Sequence, residues 1–285
     1  LKNLISLCSF DEFVDKKLAI DYLTLSAERE FFDALVDLGY HHHYGINVNL
    51  DLDKALKYYR MATKIDPNKS ISYTNTAILL EDINRSTFID QILINYEKAS
   101  ELGDANAYYN LSYIYNNALD VDLDSRKAAN ILKECVEETN DPICLDGLAW
   151  HYQNAEGVRQ NDKEAVRLLN IAIKSEYPRS YGNLGWHYQN GYGVNKDNKK
   201  AVELFKKGAD LGNAYSQSQL GWHYENGEGV RKDLSAAYYY YSLGKENGNE
   251  FAKESIDEFV EKYPGIDENN YLAKINKKEI IKDTQ

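Results

Sequence analysis

Apolar and polar positions follow two periods along this chain. Over stretches of about 13 residues the apolar side chains recur at i, i+4 and i+7, which is one face of an amphipathic helix and too long a run for a strand. Over a longer range the pattern itself returns. Leu184-Gly-Trp-His-Tyr-Gln-Asn-Gly-Tyr-Gly-Val194 comes back 36 residues later as Leu220-Gly-Trp-His-Tyr-Glu-Asn-Gly-Glu-Gly-Val230. Copies with substitutions start at Leu148, Leu111 and Leu38, and a degenerate copy starts at Asn75. Seventeen places after each start stands a small residue (Ala55, Ala128, Ala165, Ala201, Ala237), with Ile92 in the degenerate copy. Ala19 and Ala273 carry the register on in both directions. Repetition at this length marks a solenoid.

Each repeat reads as two helices, A and B. On A the repeated leucine, the aromatic four places on (Tyr115, Tyr152, Tyr188, Tyr224) and the small residue seven places on form the core stripe. The residue after the leucine is small (Gly39, Ser112, Ala149, Gly185, Gly221), which lets A and B approach closely. B buries its alanine, a large residue four on (Tyr59, Leu132, Leu169, Phe205, Tyr241) and a small one seven on (Ala62, Cys135, Ala172, Gly208, Gly244). The turn between A and B carries paired glycines such as Gly191 and Gly193, which adopt a left-handed backbone cheaply. Asp51, Asp124, Asn161, Asp197 and Asp233 read as N-caps of B, and Asn161 with Glu164 as a capping box. Gly103, Gly212 and Gly248 read as stops after B, and Pro67, Pro142 and Pro178 as the start of the next A. These patterns predict an all-α solenoid of about seven helix-pair repeats over residues 1–285. Within it, 1–37 is a truncated first repeat ending in a B helix, 38–255 holds six repeats with 75–103 degenerate, and 256–285 is a degenerate capping repeat. The degenerate copy lacks the turn glycines, so it is expected to couple weakly to its neighbours, as a hinge around residues 80–90 or a specialised binding region.

The motif Leu-Gly-x-x-Tyr-x-x-Gly-x-Gly-Val followed by Asp-x-x-x-Ala, nearly intact at 184–201 and 220–237, resembles the Sel-one-like repeat, an α/α relative of the tetratricopeptide repeat. The likeness holds with small substitutions at 148–165, is good at 38–55, looser at 111–128 and poor at 75–92. It implies a right-handed superhelix used as an adaptor or scaffold, in a family that serves in quality control, signalling and bacterial dealings with hosts, virulence and immunity among them.

Positions two, five and six after the A-helix leucine project away from the core stripe. There stand Tyr40, Tyr113, Trp150, Gln153, Asn154, Trp186, Gln189, Asn190, Trp222, Glu225 and Asn226, and these are the candidate protein-binding residues. In the tetratricopeptide relatives the corresponding A-helix positions grip peptides. An aromatic row flanked by amides suits a peptide ligand, because Trp supplies apolar area and the amides can pair with main-chain groups. The alternative is that each Trp wedges against the next A helix and fills the seam; the sequence leaves both open. In the degenerate copy Ala77 and Leu80 would take these outward positions.

All six histidines lie in equivalent A-helix segments, a helix-packing distance apart, and read as satisfied, partly buried residues; no metal site and no cofactor is expected. Cys135 and Cys144 could come close, but with no such pair in other repeats a packing thiol is the favoured reading over a bridge. Tyr238 to Tyr241 encircle a B helix and suggest a buried seam or a contact surface.

Composition then narrows the function. A net charge of −12 repels phosphate backbones and anionic lipid, so nucleic acid is not expected as a partner, and no apolar run is long enough for membrane insertion. An acidic surface suits a protein partner with a basic one. No phosphate loop, zinc-protease helix or nucleophile elbow is present in the sequence, so no enzyme is expected. The expected role is a non-catalytic interaction scaffold, with the sharper form of a bacterial regulator or inhibitor of one effector or toxin, and with a passive structural spacer as the rival. The expected location is the cytoplasm or, after secretion, a host cell. Because the chain begins at Leu1 and its one methionine is Met61, residues and any targeting signal before Leu1 are expected to be missing.

Overall fold

The computed structural model describes residues 16–266; Cys8, the register residue Ala273 and the rest of the capping repeat from 267 lie outside them. Among the described residues there are 13 helices and no strand. Two compact units divide the chain. The first, 1–140, holds α1 (Lys16–Glu28), α2 (Phe32–Tyr44), α3 (Leu52–Ile65), α4 (Ser70–Glu101), α5 (Ala105–Asn116) and α6 (Ser125–Thr139). The second, 141–285, holds α7 (Pro142–Asn154), α8 (Asp162–Ala172), α9 (Pro178–Asn190), α10 (Asn198–Asp210), α11 (Ala214–Asn226), α12 (Leu234–Glu246) and α13 (Glu250–Lys262). The A helices are α2, α5, α7, α9 and α11, each followed by its B helix. α1 is a B helix, α13 an A helix, and α4 contains both.

A lies on B through a fit of small against large. A Cβ added at Gly185 would stand 2.7 Å from the Phe205 ring, one at Gly221 2.8 Å from Tyr241, and Gly39 faces Tyr59 more closely still. Where B offers only Leu132 or Leu169, the A helix carries Ser112 or Ala149 instead. The large B residues are buried and form the centre of each repeat's core.

Turns between A and B are closed by the same bonds in each intact repeat. The N–H groups of Gly191 and Tyr192 donate to His187 O at 2.9 and 3.1 Å, and that of Asp197 donates to Tyr188 O at 2.8 Å. All five predicted N-caps form, for example Asp51 accepting from the Lys54 N–H at 2.9 Å. The capping box does not. The Asn161 N–H already donates to Tyr152 O at 2.9 Å, and the Glu164 carboxylate turns to Arg167 at 2.6–3.0 Å. The second turn glycine also sets the stacking. Gly193 (φ 72°) and Gly229 (φ 72°) lie so close to the carbonyls of Asp162 and Asn198, at the start of the preceding B helix, that no Cβ would fit.

The degenerate copy departs from expectation. Its A helix is set one residue later, with Thr76 in the leucine's place, so Ala77 and Leu80 are buried and do not face outward. It has no A–B loop. α4 runs through 32 residues with a single break at Asn84 (φ −172°, ψ 99°), whose side chain caps the second half by accepting from the Thr87 N–H at 2.9 Å. Residues that elsewhere form the turn have become an extra first turn of B, which is why no glycine is needed. Glu81 ties the halves together, accepting from Arg85 at 2.7 Å and from the Tyr96 hydroxyl at 2.7 Å.

Ala118 (φ 52°), Asp120 (φ 60°) and Ala155 (φ 59°) keep the left-handed turn with a Cβ present. Ala155→Gly is therefore expected to stabilise the protein by about 1 kcal/mol. Gly193→Ala should destabilise it by about 2 kcal/mol or more, since strain and overlap combine. Thermal melts followed by circular dichroism check both signs.

Candidate protein-binding face on the A helices

In the second unit α7, α9 and α11 each end in Trp-His-Tyr, then Gln or Glu, then Asn. The rings of Trp150, Trp186 and Trp222 stand edge-on to the histidine that follows, at 5.2, 5.2 and 5.1 Å with interplanar angles of 89°, 88° and 89°. Asn154, Asn190 and Asn226 each donate from Nδ2 to the carbonyl of that Trp, at 2.9, 2.8 and 2.9 Å. One N–H of each amide thus closes the end of its own helix, and the other N–H and the carbonyl oxygen stay outward. Trp150 is 38% exposed, while Trp186 and Trp222 are half-buried. Trp222 packs against the cluster of Tyr241, Ile256 and Phe259 between α12 and α13. One side of that ring therefore fills a seam, as the alternative reading has it. The indole N–H groups of Trp186 and Trp222 are nonetheless unburied and make no hydrogen bond among the described residues.

The residue five places after the leucine sorts by what lies beneath it. Glu225 accepts from the Tyr241 hydroxyl at 3.1 Å and from Lys262 Nζ at 2.9 Å. The bond to Glu225 pushes the Lys262 ammonium up to about 12, and burial with the nearby carboxylate raises Tyr241. Gln153 and Gln189 lie in repeats whose B residue is Leu169 or Phe205, with no hydroxyl. Neither makes a side-chain hydrogen bond among the described residues, and the Gln189 carbonyl oxygen is buried without a partner. The Tyr run is a packed seam in its core half: Tyr240 stacks on Tyr224 at 5.7 Å, and Tyr238 meets Phe259 at 6.1 Å.

In the first unit Tyr40 (47% exposed) and Tyr113 (52% exposed) hold the tryptophan position. Tyr40 leans on Tyr44 at 4.7 Å, and the buried His43 bonds through Nε2 to Asp82 at 2.8 Å.

The histidines next to the aromatic row are clasps. Nδ1 of His151, His187 and His223 lies 2.8, 2.9 and 2.7 Å from the carbonyls of Glu156, Tyr192 and Glu228 in the following turn, and His41 does the same with Ile46. Among the described residues no three His, Cys, Asp or Glu side chains come together as a metal site. The favoured reading of Cys135 and Cys144 is corrected: both are disulfide-bonded. They stand at the small positions that Gly208 and Ser216 take in later repeats, where those two residues meet closely.

Two features went unread in the sequence. Asp146 is buried on α7; its Oδ1 accepts from Ser180 (2.8 Å) and Asn183 (2.9 Å), and its Oδ2 forms an ion pair with Arg179 (2.8 Å), all on α9; burial raises its carboxyl and Arg179 opposes that. The signal was there, because Gly182 and Ser218 stand at the same position in the next two repeats. A cleft of about 430 Å³ lies between α8 and α10, lined by Lys174, Lys200, Lys207, Tyr181 and Tyr188 among others. Only spatial neighbours reveal it.

The sequence profile of the Sel1 repeat matches residues 9–31, 32–74, 105–134, 142–177, 178–213 and 214–249. Among solved structures, a Sel1 repeat protein from Oxalobacter formigenes is 22% identical with a TM-score of 0.68, over 80% of this chain and 93% of that one. The protective antigen c5321 of uropathogenic Escherichia coli, which displays the same repeat fold, is 22% identical with a TM-score of 0.64. This chain is covered over 85% there but spans about half (52%) of that protein's length. A chain of the APC/C hetero-tetramer Cut9–Hcn1 is 15% identical with a TM-score of 0.55, over 87% of this chain and 46% of that one. No curated protein matches.

Burial lowers the pKa of His187 and His223, with the Nδ1 bond opposing it, and Nε2 of each is buried without a partner. Above the unfolded-state value of about 6.5 both folded and unfolded forms are neutral and stability is full. As pH falls through that value the unfolded chain takes up protons first, so stability is lost toward lower pH. The melting temperature should drop on acidification from pH ~7.5 to ~5.5, and drop less in a His187→Asn, His223→Asn variant.

Proposed function

The chain belongs to the Sel1 repeat family, and from that premise we propose that it is a non-catalytic scaffold that holds a protein or peptide partner on the A-helix face of its second unit. Repeats of this family generally bind proteins. The observation that carries the reading is the threefold recurrence of one ring geometry at Trp150, Trp186 and Trp222, with half-open rings and, at Trp186 and Trp222, available indole donors. A structural residue needs no such uniform outward edge. Gln153 and Gln189 belong to the same face, whereas Glu225 is held by Tyr241 and Lys262 and serves mainly to fix it.

The sharper form is a regulator or inhibitor of a single effector, and the net charge of −12 favours a partner with a basic surface. No described helix is long and apolar enough to cross a membrane. The disulfide-bonded Cys135 and Cys144 favour an oxidising compartment over the reducing cytosol. Thiol titration of the unreduced, denatured protein should then find one free thiol among the three cysteines; three would return the chain to a reducing compartment.

Affinity capture with the wild type and with the Trp150→Ala, Trp186→Ala, Trp222→Ala variant tests the face. Truncating a tryptophan at the centre of an interface costs about 1–3 kcal/mol, so the folded triple variant should bind its partner about a hundredfold more weakly, or worse. A partner held equally by both proteins would move the site off this face.

A further inference from the structure

Resting on that reading of the face, we propose that Trp150, Trp186 and Trp222 bind a proline-rich segment in the polyproline II conformation, each indole N–H donating to a backbone carbonyl of the ligand.

Hydrogen-bond chemistry is the first argument. An indole nitrogen can only donate. Those of Trp186 and Trp222 are open and unpaired, and the Gln153 and Gln189 amides add further N–H groups. Acceptors on the face are fewer: the carbonyl oxygens of Asn154, Asn190, Asn226 and Gln153 remain, while the Glu225 carboxylate is engaged by Tyr241 and Lys262 and the Gln189 carbonyl oxygen is buried. A ligand that matches offers carbonyls and few N–H groups. Proline has no N–H, and the polyproline II helix makes no internal hydrogen bonds, so its carbonyls are free. An α-helical ligand has its carbonyls occupied, and an extended strand brings an N–H at every residue to a face richer in donors than in acceptors.

Spacing is the second. α7 touches α9 and α9 touches α11, and packed helices lie about 8–10 Å apart. A polyproline II turn of three residues rises about 9.3 Å, so one residue in three meets successive tryptophans. Same-side residues of a strand recur every ~6.7 Å and would fall out of step by the second ring.

Preorganisation is the third. The edge-on histidine and the asparagine clamp on the Trp carbonyl hold the ring and its backbone before any ligand arrives. The ligand is likewise stiff when free, so ordering costs little on either side. With a net charge of −12, basic residues flanking the prolines would add attraction.

The test uses the full chain, labelled with nitrogen-15 at tryptophan, titrated with a synthetic oligoproline peptide bearing a lysine at each end and with a Gly-Ser peptide of equal length and ends. Expected are shifts of the three indole N–H resonances with oligoproline alone, and about tenfold weaker binding by Trp186→Phe, which keeps an aromatic ring and loses the donor. Equal binding of both peptides, or an unchanged affinity for the folded Trp186→Phe variant, overturns the carbonyl-reading proposal and leaves the face. No indole shift with either peptide, while a captured partner is lost by the triple alanine variant, also overturns it and leaves the face. A partner that survives the triple variant overturns both.

Discussion

The fit of a small A-helix residue against a large B-helix residue governs everything else in each repeat. Gly39, Gly185 and Gly221 leave room for Tyr59, Phe205 and Tyr241, and Ser112 and Ala149 stand opposite Leu132 and Leu169. Because the interior is close-packed, the pair of volumes is constrained even though either residue alone varies. That contact sets how A leans on B, and with it the direction in which the residue next along, the Trp or Tyr of the outer face, must point.

A second constraint is backbone satisfaction at the end of A. The carbonyls left over there accept from the following turn and from the N-cap of B, and the histidine ring returns a bond to the same turn. The clasp residue and the aromatic residue are sequence neighbours that stand edge-on. Loop closure and surface presentation are therefore one local device. In the degenerate copy the device is absent together with the loop it would close, and an Asn84 cap with the Glu81–Arg85 pair takes over.

What is legible in the sequence is what the repeat makes local. Leu184, Gly185, Gly191, Asp197 and Ala201 announce the helix faces, the close approach, the turn and the cap within a single window. Expectation and structure part where a residue outside the window decides. Glu164 has the spacing of a capping-box residue, but the amide it would serve is already bonded to Tyr152. Asn75 aligns as a leucine equivalent, because one residue fewer between A and B shifts their register and apolar spacing alone cannot show which helix moved. Cys135 and Cys144 fit small positions of the repeat, so a thiol and a bridge look alike in the pattern. The Trp row is visible in the sequence but its mixed burial is not, since that depends on Phe259 and Tyr241 of the flanking helices.

The same dependence on what lies beneath narrows the working part of the face. Tyr96 and Tyr241 carry hydroxyls under the fifth position, and there the chain places Glu81 and Glu225, which accept from them. Tyr59 lies under His43, which bonds to Asp82, and its own buried hydroxyl has no partner. Leu169 and Phe205 have nothing to donate, and there the residue is Gln153 or Gln189. A carboxylate without a donor would be a desolvated charge, whereas an amide is neutral and costs less to bury in part. Within the second unit the repeats with no internal duty at that position are those of Trp150 and Trp186, so its first two repeats have the most hydrogen-bonding capacity left for a ligand. The repeat of Trp222, with Glu225 and Lys262 locked together, is better suited to holding the end of the row in place.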